Sequence, residues 1–520
     1  MGGATALPRP RRTLATLPMG FWVLLLCAGQ VLLWGSAFGL SYSAPEIDSA
    51  EQFVWAFSLE NGYWKHPPGP SWIMHALMAW VGPSIALPFV AAQVCIVIAL
   101  ALTWRLGCEF MSPRRSLLAM ALVSLVTYHN FGADNFNHNT ALLPFQAAMV
   151  LMFFLATRRG GLHRWALAGL FAGLAMLVKY VALMPIAGLL LYLLLDRRQH
   201  NRGVLVGLLV ASVVFALALL PHLLWLQRTD FLPFRYAQSV TQPAAGLGAA
   251  VGSVADFLTI QLARLLPFLI GLAWLLRYSA RRASAPAPAR PIAAPDRLFI
   301  VVAAVTPLLL TIAFCLVTRT ELQSRWGTNG FLLVGLLAMA LWPRAETGRT
   351  TRRVIVGVIT AQCIFAAGLT LGKTVLADRL QHPTRANFPG AVLAAEASKV
   401  WSAQTAAPLR IVVSDTWLGG NIIAHRRDRV AVLIDGHPFK SPWVKEQAVR
   451  ACGALVLNDL TSDGKAAPNA ALDALMARAT ASGVWNLPWA VSQDQATEEG
   501  TGRVRWGVIA PKDPAACDLR

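Results

Sequence analysis

Charge is what this chain has least of: Asp, Glu, Lys and Arg make up 14% of its 520 residues, while 56% are hydrophobic. Soluble domains carry roughly 25% charged residues, so an ordinary soluble protein is excluded. Acid is the scarcer sign, 26 Asp and Glu against 45 Lys and Arg, for a formal net charge of +19. That excess would suit nucleic acid, but the cations fall in short tracts between apolar runs, and no basic face with interleaved aromatics occurs. Nucleic acid is therefore not a partner. Other signatures are missing too. No zinc-type Cys/His spacing is present, and there is no Gly-x-Ser-x-Gly elbow. Asp415-Thr-Trp-Leu-Gly-Gly420 lacks the Gly-x-Gly-x-x-Gly pattern and the Walker lysine, and reads as a simple turn between strand and helix. The two halves do not repeat, as many transporter halves do.

Long apolar runs are what the chain does have. The first, near 21–40, follows Arg9-Pro-Arg11-Arg12 and exceeds the about 7–15 residues of a cleaved signal. It reads as an uncleaved anchor with the N-terminus in the cytoplasm. Further runs lie near 86–106, 116–128, 140–157, 203–226, 257–276, 298–317, 330–342 and 354–371. The run 165–195 is too long for one crossing and short for two, and basic tracts flank both ends. It reads as two short helices with Lys179-Tyr180 at their turn. This gives eleven spans, with the C-terminus outside. The tracts Arg114-Arg115, Arg158-Arg159, Arg197-Arg198, Arg281-Arg282, Arg290, Arg344 and Arg352-Arg353 then all face inward. Glu46, Asp48, Glu51, Glu60, Asp134 and Asp230 face outward, as the positive-inside bias requires. The Ala/Pro-rich stretch 283–295 is an inner linker.

The expected organisation is a membrane domain over 1–375 with outer loops at 41–85, 129–139, 227–256 and 318–329, then an outer domain over 376–520. In the latter, hydrophobic runs shorten to strand length at 409–414, 430–435, 454–457 and 504–509. Helical patterns lie between them, at 388–404, 418–426 and 470–481, so this part reads as α/β. Cys452 and Cys517 stand alone there and form either a disulfide or two buried thiols.

Candidate chemistry gathers after the first span. In Asp48-Ser-Ala-Glu51, the two acids share a helix face and can act as general base or hold a divalent cation. Tyr63, Lys65 and His66 precede a stiff Pro67-Pro68, which aims a cation at the membrane surface. The second outer loop carries Asp134, Asn137 and His138. Together with Tyr63 and His66 they suit sugar or acceptor binding, although Asn and Asp also cap helices. Lys179 is costly inside a bilayer, and Arg325 lies in a short outer loop. Both can meet a lipid phosphate or simply reach the interface.

These motifs resemble the polyprenyl-phosphate-dependent GT-C glycosyltransferases, including protein O-mannosyltransferases and the transferases that decorate lipid A. The likeness rests on Asp48, Trp55-Ala56, Gly62-Tyr63, Pro67-Pro68 through Trp72, Gly169 to Lys179, and Gln323-Ser-Arg325-Trp326. Ser49 stands where the family has a second acid. The resemblance implies a mainly α, polytopic transmembrane fold. It implies Asp48 as the catalytic carboxylate, with Lys65, Lys179 and Arg325 on the donor phosphate. The implied reaction moves a sugar from a polyprenyl-phosphate donor to an envelope lipid, glycan or protein, at the periplasmic face of a bacterial inner membrane. A lipid or solute transporter without chemistry and a glycan ligase remain alternatives.

The topology is open to test. A cysteine placed at Gly464 should react with an impermeant reagent in cells stripped of the outer membrane, and one at Gly348 should not. The reverse pattern overturns the orientation.

Overall fold

The computed structural model describes residues 18–240, 243, 245–281, 292–342, 347–461, 469–489 and 501–519. Arg9 to Arg12, Arg282, Arg290, Arg344 and most of the Ala/Pro-rich stretch lie outside them. The chain is mostly helical. Its first part comprises α1 (Met19–Ser41), α2 (Ile47–Trp55), α3 (Gly69–Val81), α4 (Ala86–Gly107), α5 (Pro113–Val123), α6 (His138–Arg159) and α7 (Leu162–Val178). There follow α8 (Leu183–Leu195), α9 (Arg202–Arg228), α10 (Leu232–Val240), α11 (Leu247–Arg281), α12 (Ala294–Thr318), α13 (Val334–Leu341) and α14 (Gly348–Leu371). A π turn, Gly372–Leu376, carries α14 on into α15 (Ala377–Arg379).

Among the described residues, seven helices are long and apolar enough to cross a membrane. Eleven spans were expected. The difference is α5, α7, α8 and α13, which are shorter. Pro113 and the Ser112 cap start α5, which ends after 11 residues with every side chain from Arg115 to Val123 buried in the bundle. Arg115 spends its guanidinium on the carbonyls of Met339 and Trp342, at the end of α13. The run 165–195 does split into two helices. The break is at Lys179, whose backbone is extended.

The C-terminal part holds α16 (Gly390–Gln404), β1 (Ile411–Ser414), α17 (Thr416–His425), β2 (Ala431–Ile434), α18 (Glu446–Cys452), β3 (Ala454–Asp459), α19 (Ala470–Met476), β4 (Ala481–Pro488) and β5 (Thr501–Ile509). Strand order is β2-β1-β3-β5-β4. The first three pair in parallel, and β5 runs antiparallel to β3 and β4. Continuous apolar runs such as Ile411-Val-Val are what strands covered on both faces require, and β1 and β2 are wholly buried. The helical pattern expected through Ala481 stops at Met476, and β4 follows with Trp485 and Leu487 turned inward and Val484 and Asn486 outward. Cys452 and Cys517 are joined in a disulfide.

This α/β part is welded to the first loop of the membrane part. One apolar core runs from Phe53, Val54 and Trp55 of α2 into Leu418, Ile422 and the sheet. The helices α2 and α17 meet backbone to backbone at Ala50 and Gly420. A Cβ on Gly420 would lie 2.6 Å from the Ala50 Cβ and carbonyl oxygen. Arg429 adds a hydrogen bond to the Phe57 carbonyl at 2.8 Å and covers the Phe57 ring at 4.5 Å.

Any side chain at 420 should therefore push α2 away. Gly420→Leu is expected to cost about 1–3 kcal/mol of stability, and Gly248→Leu, where a Cβ meets nothing within 4 Å, about none. Thermal melting of the two purified variants checks this. Equal melting points would show that the contact is slack.

Candidate active site

The site is assembled on α2. Asp48 lies in its first turn, where a carboxylate suits the exposed N–H groups of the helix start. The residues from Ser49 to Trp55 are buried, and Asp48 is half-buried at their edge. Its Oδ2 accepts a 3.0 Å hydrogen bond from Asn137 Nδ2. Asn137 is at the same time the N-cap of α6, accepting from the backbone of Asn139 and Thr140 with its Oδ1. One side chain thus both caps α6 and holds Asp48. Ser49 is fully buried, donates to Asn135 Oδ1 at 2.7 Å and accepts from the Phe136 N–H at 3.0 Å. It ties α2 to the second outer loop, so a hydroxyl at this position has structural work of its own.

The Lys-His-Pro-Pro segment follows. Reciprocal backbone bonds between Tyr63 and His66 close a tight turn that carries Trp64 and Lys65 at its tip. Pro67-Pro68 then leads into α3, where Gly69 approaches so close to the end of α7 that a Cβ would meet the Leu177 carbonyl at 2.8 Å. That contact seats the turn beside Lys179. Lys65 Nζ lies 2.6 Å from Glu51 Oε1, with the two side chains 21% and 7% exposed. Burial pushes the Glu51 carboxyl up and Lys65 opposes this. Burial also works against the Lys65 ammonium, but Glu51 more than offsets it, and the lysine is held above its ordinary value. Asp48 and Glu51, which could serve as a base or hold a cation, thus differ in their surroundings: an ammonium lies beside Glu51. Among the described residues, no three His, Cys, Asp or Glu side chains converge as metal ligands.

His66 and His138 face each other with ring centroids 4.1 Å apart, under the Trp55 ring at 6.2 Å from each. Burial, then His138, then the nearby cations hold His66 well below the usual imidazole range, so it is neutral at physiological pH. Lys179 donates to Asn139 Oδ1. Arg325, on the 3-10 helix Ser324–Phe331, is exposed, and its charge acts on Lys179, His66 and Glu51. The three cations named from the sequence therefore belong to one neighbourhood, in which the Asp48 charge acts on Lys65 and Lys179 and the Arg325 charge acts on Lys179. Tyr63 does not join them. It is buried, stacked on Trp55 at 5.0 Å, and its hydroxyl is spent on the Ser58 carbonyl. It packs the loop and is not placed to touch sugar. Asp134 lies at the other end of the loop and accepts from Tyr42 at 2.7 Å.

Sequence reasoning missed Asn139, which looked like one more polar loop residue. It also missed Trp64, which Tyr236 meets edge-on at 4.8 Å while the Lys65 and Lys440 ammoniums lie 4.7 Å from its ring. Lys440 comes from the α/β part, some 375 positions along the chain, and no spacing rule could join the two.

The sequence matches the dolichyl-phosphate-mannose-protein mannosyltransferase family over residues 65–225. It is 26% identical over 417 residues to the lipopolysaccharide core galacturonosyltransferase RgtA of Rhizobium johnstonii, covering 78% of this chain and 79% of that one. It is 27% identical over 206 residues to the lipid A galacturonosyltransferase RgtD of the same organism, 39% of this chain and 43% of that one. Among solved structures, ArnT from Cupriavidus metallidurans bound to undecaprenyl phosphate shares the fold, with a TM-score of 0.54 at 14% identity over 93% of this chain and 98% of that one. Its apo form gives a TM-score of 0.53 at 15% identity, over 79% and 86% of the two chains.

The Lys65–Glu51 pair generates a testable consequence. Lys65→Met strands a buried carboxylate and should destabilise the protein by about 1–3 kcal/mol, whereas Lys65→Met/Glu51→Gln should regain most of the loss. Denaturant melting of both variants decides it. A neutral Lys65→Met would mean that the pair is solvated in solution.

Proposed function

We propose that this chain, a polyprenyl-phosphate-dependent membrane glycosyltransferase of the GT-C fold, moves one sugar onto a lipid-anchored envelope saccharide at the periplasmic face of the inner membrane. The observation that carries the reading is Asp48, held by Asn137 beside three cations at one end of an apolar bundle. A lipid-linked phosphosugar is a phosphodiester with one negative charge, a second develops on its phosphate as the bond to the sugar breaks, and the lipid tail brings it to such a place without a soluble nucleotide donor. The acceptor hydroxyl gives its proton to Asp48 as its oxygen bonds to the anomeric carbon. The bond from that carbon to the phosphate oxygen breaks, and polyprenyl phosphate leaves with the electron pair. Lys179 and Arg325 stabilise the growing charge on the phosphate, and the Lys65 ammonium has two further N–H groups to offer beyond the one given to Glu51.

A double displacement needs a second free carboxylate about 5 Å from the first. Glu51 is committed to Lys65, so the reaction is a single displacement that inverts the anomeric centre. Transport without chemistry would leave Asp48 with no task, and the relatives are named as transferases. Their names also favour galacturonic acid as the sugar and lipid A or lipopolysaccharide core as the acceptor. A uronic acid adds a carboxylate to the charge of the phosphate, and Lys440, beside Trp64 and paired with Asp435 at 2.7 Å, is a further cation near the Lys65 turn. Mass spectrometry of envelope glycolipids from cells with and without the protein reads the sugar and the acceptor directly.

Asp48→Asn keeps size and the Asn137 hydrogen bond but cannot take a proton. Single-turnover release of polyprenyl phosphate should fall by about 10²–10⁴, with melting unchanged. Near-normal release by the folded variant removes Asp48 from the chemistry.

A further inference from the structure

Besides the donor cations, the structure has a second polar recess. A cleft of about 460 Å³ opens between the end of α1 and the π turn that follows α14, lined by Ser41, Tyr42, Lys373, Thr374, Asp378 and Asn387 among others. A π turn inside an otherwise regular helix re-aims its side chains and is frequent at functional sites. This one places Lys373 Nζ 5.4 Å from the centre of the Tyr42 ring. Tyr42 in turn bonds Asp134, and Glu46 stands at the N-cap position of the helix that carries Asp48. The Lys373 charge acts on both Glu46 and Asp134, and the Asp48 charge acts on Glu46 as well as on Glu51, Lys65 and Lys179. The lining also includes Leu40 and Val375, both exposed, and Leu371, Leu376 and Leu380, close to the π turn in sequence, are exposed too. Polar groups and exposed apolar side chains together fit the head of an amphiphile that enters sideways from the bilayer.

We propose that this cleft seats the head of the lipid-anchored acceptor, with Lys373 meeting a phosphate or carboxylate on it. The proposal rests on the transferase reading above. An inverting displacement requires the incoming hydroxyl to approach from the side opposite the leaving phosphate. Lys65, Lys179 and Arg325 are assigned to the phosphate, which leaves for the acceptor the Tyr42–Lys373 cleft, tied through Asp134 to the loop whose Asn137 holds Asp48.

The test uses the full-length protein in nanodiscs, with lipid A and undecaprenyl phosphate as probes and p-benzoylphenylalanine in place of Val375. Light should join lipid A to position 375, and excess undecaprenyl phosphate should not compete. Lys373→Glu should reduce capture about tenfold, the scale of one lost charge-assisted hydrogen bond, and Lys373→Arg should retain it. In transfer assays, Lys373→Gln should raise the KM for lipid A by about the same factor and leave the donor KM unmoved. Capture of undecaprenyl phosphate at 375, lipid A capture indifferent to Lys373→Glu, or no capture overturns the assignment. If the unaltered protein releases no polyprenyl phosphate, the transferase reading fails instead, and lipid capture still decides what the cleft holds.

Discussion

Everything at the site hangs on one short helix held from two sides. Nine residues are too few to be stable as an isolated helix in water, so α2 exists because the membrane bundle and the α/β part both bury it. The Ala50–Gly420 contact sets how near the α/β part comes. Ser49, bonded to Asn135 and Phe136, sets where the second outer loop lies. Asp48 is positioned by neither directly, but it inherits its place from both. A change in the α/β part can therefore be felt at a carboxylate that it never touches.

The second theme is electrostatic. A few charges in a place with little water count for more than many in solvent. Lys65 and Glu51 cancel locally and so hold the turn without adding net charge, while Lys179 and Arg325 are further basic groups beside them. Burial disfavours the protonated forms of His66 and His138 and keeps them out of this balance. What is left beside Asp48 is a net positive field that a phosphate can enter, next to a carboxylate that a hydroxyl can use.

Much of this was legible because hydropathy and the first-loop motif are local. The apolar runs, the split at Lys179 and the strands near 409–414, 430–435, 454–457 and 504–509 can all be read along the chain. The rest fails for physical reasons. The segments α5 and α13 are apolar but short, and apolarity alone does not separate a span from a helix buried inside the bundle. Strand β4 begins with small and polar residues, Ala481-Ser-Gly, and only its pairing with β5 makes it a strand. Tyr63 looked like a sugar platform because aromatic residues at a site mouth often are, yet the Tyr63–His66 turn folds it onto Trp55. The partners Asn139 and Lys440 were invisible because tertiary contacts between distant segments leave no mark on spacing.

The scarcity of charge with which the sequence opens follows from the task. Two substrates tethered to one bilayer already share a plane and a depth, so much of the orientation that a soluble enzyme must impose through polar contacts is supplied by the membrane. On the proposed function the protein needs to fix only the last ångströms: a base, a few cations for the leaving phosphate, and walls that keep water away. Those groups concentrate at α2 and the loops that meet it, near one end of the bundle. Elsewhere the helices can be as apolar as their surroundings, because nothing there has to recognise anything but lipid.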